Sequence, residues 1–314
     1  MSTSLQTSHR PTVSILMGTY NGARYLSEQL ESIKAQSYQH WNLLVSDDGS
    51  SDETLQILQK FRGDCDRQQI SIVQGSREGF GANFLSLVLN SDLEGDYFAF
   101  SDQDDIWLPQ KLEHALDSVS QFPAALPVVY GSRTQYISHE GKHLGFSPLL
   151  RRPPSFGNAL AQNIAGGNTM VFNRAALELL RTIGKVEIVS HDWWLYLVIM
   201  AAGGKFIFDA TPHVLYRQHE KNLVGANSSL KGNISRATAM LRGRYCTWIG
   251  INLAALGQAE KLMNVETLAV LNMFRQARSA MFLRRLVLLY RSGVRRQSFL
   301  GNCGLAVAGL LKRI

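Results

Sequence analysis

Apolar residues along this chain fall into two alternating rhythms. Short β-branched runs are followed by stretches whose apolar positions lie three and four apart. Residues 12–17 (TVSILM) read as a strand, and Leu26, Leu30 and Ile33 follow at helical spacing. Residues 41–46 (WNLLVS) read as a second strand. Ser50 and Glu53 then have capping-box spacing, ahead of a helix face of Leu55, Leu58 and Phe61. Residues 70–73 predict a third strand, and Phe84, Leu87 and Val88 another helix. Residues 97–100 predict a fourth strand, with Pro109 suited to the first turn of the next helix.

Strands alternating with helices over about 120 residues predict an α/β fold with a doubly wound, mostly parallel sheet. Ligands of such sheets bind beyond the carboxyl ends of the strands. Three segments therefore face one crevice: residues 18–21, 47–50 and 101–105. The first lacks the dinucleotide glycine fingerprint, and the chain contains no GxxxxGK[ST] loop. Further on, residues 128–130 predict a strand, 164–172 (IAGGNTMVF) run glycines into a strand, and 191–200 (HDWWLYLVIM) predict a buried helix. Beyond residue 230 the pattern turns helical and basic, with a boundary expected near 225–231.

Composition changes this picture in two places. With 45% hydrophobic and 18% charged residues, a large core is within reach and global disorder is excluded. Three cysteines, far apart, fit a reducing compartment rather than a disulfide scaffold. The first eleven residues read as a loose tail without a signal-peptide core, and apolar runs fall short of the ~20 residues that cross a bilayer. A cytoplasmic protein is expected. The net charge of +7 is divided unevenly. Residues 1–230 carry 18 Lys and Arg against 23 Asp and Glu; residues 231–314 carry 14 against 2.

The densest chemistry is FSDQDDIW at 100–107. Carboxylates repel, so crowding Asp102, Asp104 and Asp105 after a buried strand needs a reason. One is a turn that caps the next helix. The other is a hard divalent cation, since Mg²⁺ takes one or two carboxylates together with substrate phosphates. Such an ion would offset the repulsion and neutralise a leaving diphosphate. Asp47 and Asp48 in VSDDGSSDET are either turn residues or acceptors for a nucleobase N–H.

Residues 12–54, including TYN, QSY and DDGSSDET, resemble the opening of family 2 glycosyltransferases. FSDQDDIWLPQKL is similar to that family's metal-binding segment. The form is especially similar to bacterial rhamnosyltransferases of cell-surface polysaccharide assembly. The likeness continues through GGNTMVFNR (166–174), HDWW (191–194) and YRQHEKNLVG (216–225). It implies a GT-A fold over residues 12–225, with a nucleotide-binding half (12–120) and an acceptor half (121–225), then a basic helical extension (226–314). It implies that Thr19, Tyr20 and Asn21 line the nucleotide site and that Asp48 contacts the base. Asp104 would ligate Mg²⁺ or Mn²⁺, with Asp102 beside it. His191–Asp192 stands where the family more often has an acidic pair, and Asp192 matches the catalytic base. Arg217 is expected at the diphosphate, and His219 at the diphosphate or metal. Trp193, Trp194, Gly167 and Asn168 are candidates for the acceptor or sugar, against a core role for the tryptophans.

The activity implied is inverting transfer of a sugar, L-rhamnose from dTDP-L-rhamnose being the expected donor, onto a glycan or lipid-linked acceptor in lipopolysaccharide O-antigen or related synthesis. A UDP-hexose or UDP-N-acetylhexosamine donor is the alternative. A nucleotidyltransferase and a non-catalytic membrane scaffold are more distant ones. In the segment MFLRRLVLLYRSGVRRQSF (281–299), Arg284, Arg291 and Arg295 share one helical side, with Arg285 and Arg296 adjoining. Phe282, Leu283, Leu286, Leu289 and Tyr290 gather largely opposite. Such a helix either lies on an anionic inner-leaflet surface through residues 278–314 or packs on its own domain. No base-stacking motif accompanies the charge, so nucleic acid is not an expected partner.

Overall fold

The structure is a computed structural model in which residues 10–65, 68–219 and 244–314 are described. Nine strands form one sheet: β1 (Val13–Thr19), β2 (Trp41–Asp47), β3 (Ile70–Gln74), β4 (Tyr97–Ser101), β5 (Ile106–Trp107), β6 (Val128–Ile137), β7 (His143–Phe146), β8 (Val171–Asn173) and β9 (Lys205–Arg217). The spatial order is β3-β2-β1-β4-β8-β6-β9-β5, with β7 paired to β6. β1, β2, β3 and β4 run parallel, as the alternating pattern requires. β8 enters antiparallel between β4 and β6, while β6 and β9 are again parallel. The sheet is therefore mixed, and β8 joins its two halves.

Period-two alternation explains how β1 is covered on both faces. Val13, Ile15 and Met17 pack with Leu26, Leu30 and Ile33 of α1 (Ala23–Lys34) and with Leu112 and Leu116 of α4 (Lys111–Val119). Leu16 points the other way, into a cluster with Phe84 of α3 (Phe80–Val88), Leu177 and Leu180 of α6 (Arg174–Ile183), and α7 (His191–Ala201). Helix α7 is apolar nearly all round, the signature of a buried helix. Two further helices complete this half, α2 (Thr54–Gly63) and the single turn α5 (Phe156–Ala159).

The far side of α7 is covered by the C-terminal helices α8 (Arg244–Ala259), α9 (Val265–Ser279), α10 (Phe282–Arg291) and α11 (Phe299–Leu310). Tyr245, Ile249, Leu253 and Leu256 share one cluster with Trp193 and Leu197. Tyr245 Oη donates to Ala161 O at 2.9 Å, and Thr267 Oγ1 to Ala201 O at 2.7 Å. The basic helices thus have an apolar underside fixed to α7 and its neighbours. The boundary expected near 225–231 lies outside the described residues.

Local details depart from the sequence reading. Ser50 does not cap α2, which starts at Thr54; its hydroxyl instead donates to Asp47 Oδ2 at 2.6 Å. Pro109 precedes the helix that starts at Lys111, and the two-residue β5 was too short to show a period. Helix α10 ends at Arg291, and Gly293 (φ +68°) sits just beyond it in the left-handed region that suits glycine. Arg295 and Arg296 are consequently off the helix, so they do not extend its basic side. Arg285 is buried, and its guanidinium donates to the carbonyl oxygens of Ala277, Ala280 and Gly309. It satisfies carbonyls at the ends of α9 and α11 rather than facing a surface.

Candidate active site

The parallel register of β2, β1 and β4 brings their carboxyl ends side by side. Thr19 ends β1 with its hydroxyl donating to Asp47 Oδ2 at 2.8 Å, and Asp47 Oδ1 accepts from the amide of Ser50 at 2.8 Å. Buried Asp47 is thus the hub of the loop, while half-buried Asp48 accepts from the Arg77 amide at 2.6 Å. Asn21 adopts φ 48°, a left-handed conformation Asn tolerates, and its Oδ1 accepts from the Ser51 amide at 2.8 Å. Exposed Tyr20 is held by its backbone alone: its N–H donates to Gln103 Oε1 at 2.8 Å and its carbonyl accepts from Gln103 Nε2 at 3.0 Å. Tyr20, Asn21 and Asp48 therefore line one rim, tied to the acidic loop by Gln103, while the Thr19 side chain is buried beneath them against Asp47. Gln103 was unmarked in the sequence because its role depends on a contact 83 residues away.

The acidic loop divides its labour. Asp104 Oδ2 lies 2.8 Å from His219 Nε2, at the end of β9. Asp105 is fully buried; it accepts from Asn168 Nδ2 at 2.5 Å and from the Arg217 amide at 3.2 Å. Asp102 is half-buried beside Asp104. Removal from water pushes the Asp102 carboxyl up to about 8, and the charges of Asp104 and Asp192 add to it. Asp105 is raised well above the carboxylate range by burial, then by Asp104 and Asp102, against its hydrogen bonds from Asn168 and Arg217. Buried Lys111 is lowered by desolvation, with Asp105 opposing; its Nζ sits 3.4 Å from the centroid of the Trp107 ring.

Asp192 opens α7 half-buried. Its Oδ2 accepts from the amide of Gly167 at 3.3 Å and its Oδ1 from the amide of Trp193 at 2.7 Å. Gly167 and Asn168 are consecutive in a 3₁₀ turn, Gly167–Thr169. One turn therefore holds Asp192 with its first residue and the acidic loop with its second. His191, next to Asp192, is buried and stacked on Phe84 at 3.8 Å, with neither ring nitrogen partnered. Burial lowers it to about 4, so it is neutral at pH 7.

Two expectations are corrected by burial. Arg217 does not point at a leaving group. It is 2% exposed, lies over the Tyr25 ring, donates to Asp104 O and His139 O at 3.1 Å each, and pairs with Glu28. Trp193 and Trp194 are 5% and 1% exposed, and Trp193 Nε1 donates to Ala159 O at 2.7 Å, so both rings belong to the core rather than to a sugar face.

Carboxylates with one imidazole nitrogen are a donor set for Mg²⁺ or Mn²⁺. Asp104 and His219, 2.8 Å apart, are two such donors, and a positive charge there would oppose the burial and neighbouring charges that raise Asp102. Among the described residues no three His, Cys, Asp or Glu side chains already converge on a single metal position. That accords with an ion completed by water and substrate oxygens.

The crevice thus has the loops after β1 and β2 at one rim and the acidic start of α7 at the other. Residues 14–179 match the family model Glycosyl transferase family 2, and the chain belongs to that family. It is 32% identical over 233 residues to dTDP-rhamnosyl transferase RfbG of Shigella flexneri, covering 70% of this chain and 77% of that one. It is 30% identical over 172 residues to the putative teichuronic acid biosynthesis glycosyltransferase TuaG of Bacillus subtilis, covering 54% and 64%. Among solved structures, S. aureus TarS 1-349 with UDP-GlcNAc superposes with a TM-score of 0.56 at 15% identity, over 96% of this chain and 88% of that one. The mannosyltransferase PcManGT of Pyrobaculum calidifontis, with GDP-Man and Mn²⁺, gives 0.51 at 18% identity, over 98% and 86%. The fold is GT-A, with helices appended at the C-terminal side.

Proposed function

We propose that this glycosyltransferase is an inverting, divalent-cation-dependent enzyme that moves L-rhamnose from dTDP-L-rhamnose. The acceptor is a glycan or lipid-linked glycan of lipopolysaccharide or a related polysaccharide, met at the inner face of the cytoplasmic membrane. The donor assignment is supported by the likeness to RfbG across most of both chains. The chemistry is supported above all by the turn Gly167–Thr169, which fastens Asp192 to the acidic loop through Asp105.

Thr19, Tyr20, Asn21 and Asp48 bind the nucleoside, with Asp48 accepting from the base. Asp104, with Asp102 and His219 beside it, would hold the divalent cation, which would supply charge neutralisation for a departing diphosphate. Asp192 orients the acceptor hydroxyl and takes its proton as the oxygen attacks the anomeric carbon. One C–O bond forms on one face while the bond to the diphosphate oxygen breaks on the other, so the configuration inverts. Gly167 N–H holds Asp192 Oδ2 in place. His191 is neutral beside it, so no fixed imidazolium withdraws basicity from the carboxylate.

A thermal-shift panel of nucleotide sugars with Mn²⁺ tests this reading, because a ligand of the native state alone raises Tm. dTDP-L-rhamnose should give the largest shift, and EDTA should remove it. A larger shift with a UDP- or GDP-sugar would overturn the donor assignment, and an EDTA-resistant shift the cation.

A further inference from the structure

Helices α10 and α11 pack against each other where Leu286 and Leu289 approach Gly309. Their buried faces are Arg285 and Leu289 on α10, and Leu305, Ala308 and Gly309 on α11. A globular protein ordinarily gives such helices a polar outer face. These two do not have one. Leu283, Val287 and Tyr290 recur at i, i+4 and i+7 on α10, and Leu300, Val307 and Leu311 continue the pattern along α11. All six are between 46% and 88% exposed. On α10 the stripe lies about 150° from the buried face. Exposed Arg284 and Arg291 flank it, one position beyond Leu283 and Tyr290, and exposed Lys312 and Arg313 follow Leu311.

An unpartnered apolar face can meet a bilayer or a second copy of the chain. Charge decides between them. The exposed charges beside the stripe, Arg284, Arg291, Lys312 and Arg313, are all positive, so a like face brought against it is repelled. An anionic lipid surface is attracted to those same cations. Among the described residues no helix is long and apolar enough to cross a membrane, and an apolar stripe with basic flanks suits a helix lying in the interface.

We propose that the paired stripes of α10 and α11 are a docking surface for an anionic bilayer, with Leu283, Tyr290 and Leu300 entering the acyl boundary and Arg284 and Arg291 meeting lipid phosphates. This deepens the membrane placement proposed above and rests on it. Because α8–α11 share a core with α7, docking there would hold the crevice at a fixed orientation to the lipid surface.

The test is co-sedimentation of the full chain with phosphatidylcholine vesicles containing 30% phosphatidylglycerol, against phosphatidylcholine alone. Wild type should pellet with the anionic vesicles, and raising NaCl from 0.1 to 0.5 M should weaken binding on the order of tenfold. Leu283→Glu with Leu300→Glu should weaken it at least about tenfold. Both residues are exposed, so Tm and the Mn²⁺-dependent donor shift should stay at wild-type values. Those readouts separate failure of the docking surface from failure of the transfer reading. Wild type that stays in the supernatant, or a double variant that pellets like wild type, overturns the proposal. So does a concentration-dependent dimer in sedimentation velocity that the double variant abolishes, since that would make a second copy the occupant.

Discussion

His219 Nε2 lies 2.8 Å from Asp104 Oδ2, closing a contact between residues 115 apart. The ring is also stacked on Tyr25 at 5.2 Å, so its orientation is fixed from two sides. If the pair holds the cation, Asp104→Asn removes a charged oxygen and His219→Ala one nitrogen. Asp104→Asn should lower kcat on the order of 10²–10³-fold, and His219→Ala should weaken Mn²⁺ about 10–100-fold. Activity titrated against Mn²⁺ checks both. An unchanged half-saturation concentration in His219→Ala would assign that ring to the donor instead.

Asp192 is predicted to matter for turnover and not for donor binding. Asp192→Asn keeps the shape and can still occupy the place beside the Gly167 amide, but it cannot take a proton. The expected loss is ~10²–10⁴ in kcat, with the donor-induced Tm shift intact. Near wild-type turnover would acquit the carboxylate.

Arg217 is predicted to act through stability. Its guanidinium is enclosed and paired with half-exposed Glu28, and it fastens β9 to the acidic loop through Asp104 O. Removing it leaves part of that network unsatisfied, so Arg217→Ala should cost about 3 kcal/mol in urea unfolding. A variant of wild-type stability whose only defect is a raised donor KM would restore the diphosphate role expected from sequence.

The fate of Arg217 shows what was legible before the structure. The strands and helices of residues 12–120 were readable because each buries alternating or 3.6-spaced residues, as Val13, Ile15 and Leu26 do. The proposed site positions, Thr19–Asn21, Asp104 and Asp192, followed from strand ends and helix starts plus family likeness. Side-chain direction did not follow. Arg217 and His219 are two apart at a strand end, yet one is enclosed and the other reaches Asp104. Trp193 and Trp194 look like sugar platforms in one dimension, but α8 packs over α7 and takes them into the core. Gln103 and Glu28 carried no local signal because their partners are 83 and 189 residues away, and Asp105, visible in the acidic run, gave no sign of its partner Asn168, 63 residues on.

Gly167 is predicted to be intolerant of any side chain. A Cβ placed there would meet His191 Nε2 at 2.2 Å, so either the 3₁₀ turn or the stacked ring must shift. Gly167→Ala should cost roughly 1–3 kcal/mol of stability and lower kcat more than Gly166→Ala does, because Asp192 loses its fixed donor. At Gly166 the nearest atom to an added Cβ is the Asn168 side-chain oxygen at 2.6 Å, a lighter obstacle than a ring. Urea unfolding of both variants, with kcat under saturating donor, checks the ordering. Equal losses at the two positions would remove the special role of Gly167.

His191 carries the pH dependence of folding that can be assigned with a sign. Burial holds it at about 4 against an ordinary 6.5, with Asp192 opposing. Between those values the unfolded chain binds a proton that the folded chain does not. The His191 contribution to stability therefore rises with pH across this window and is lost as pH falls through it, by at most about 3 kcal/mol, while the raised carboxyls of Asp102 and Asp105 contribute with the opposite sign. His191→Phe keeps a ring against Phe84 and removes two unpartnered nitrogens, so it should be neutral or stabilising at pH 7 and flatten the decline towards pH 4.5. Urea unfolding of both proteins at pH 4.5, 5.5 and 7 measures this directly. If the variant loses as much stability as wild type on acidification, another group is responsible and the imidazole is not being kept neutral by the fold.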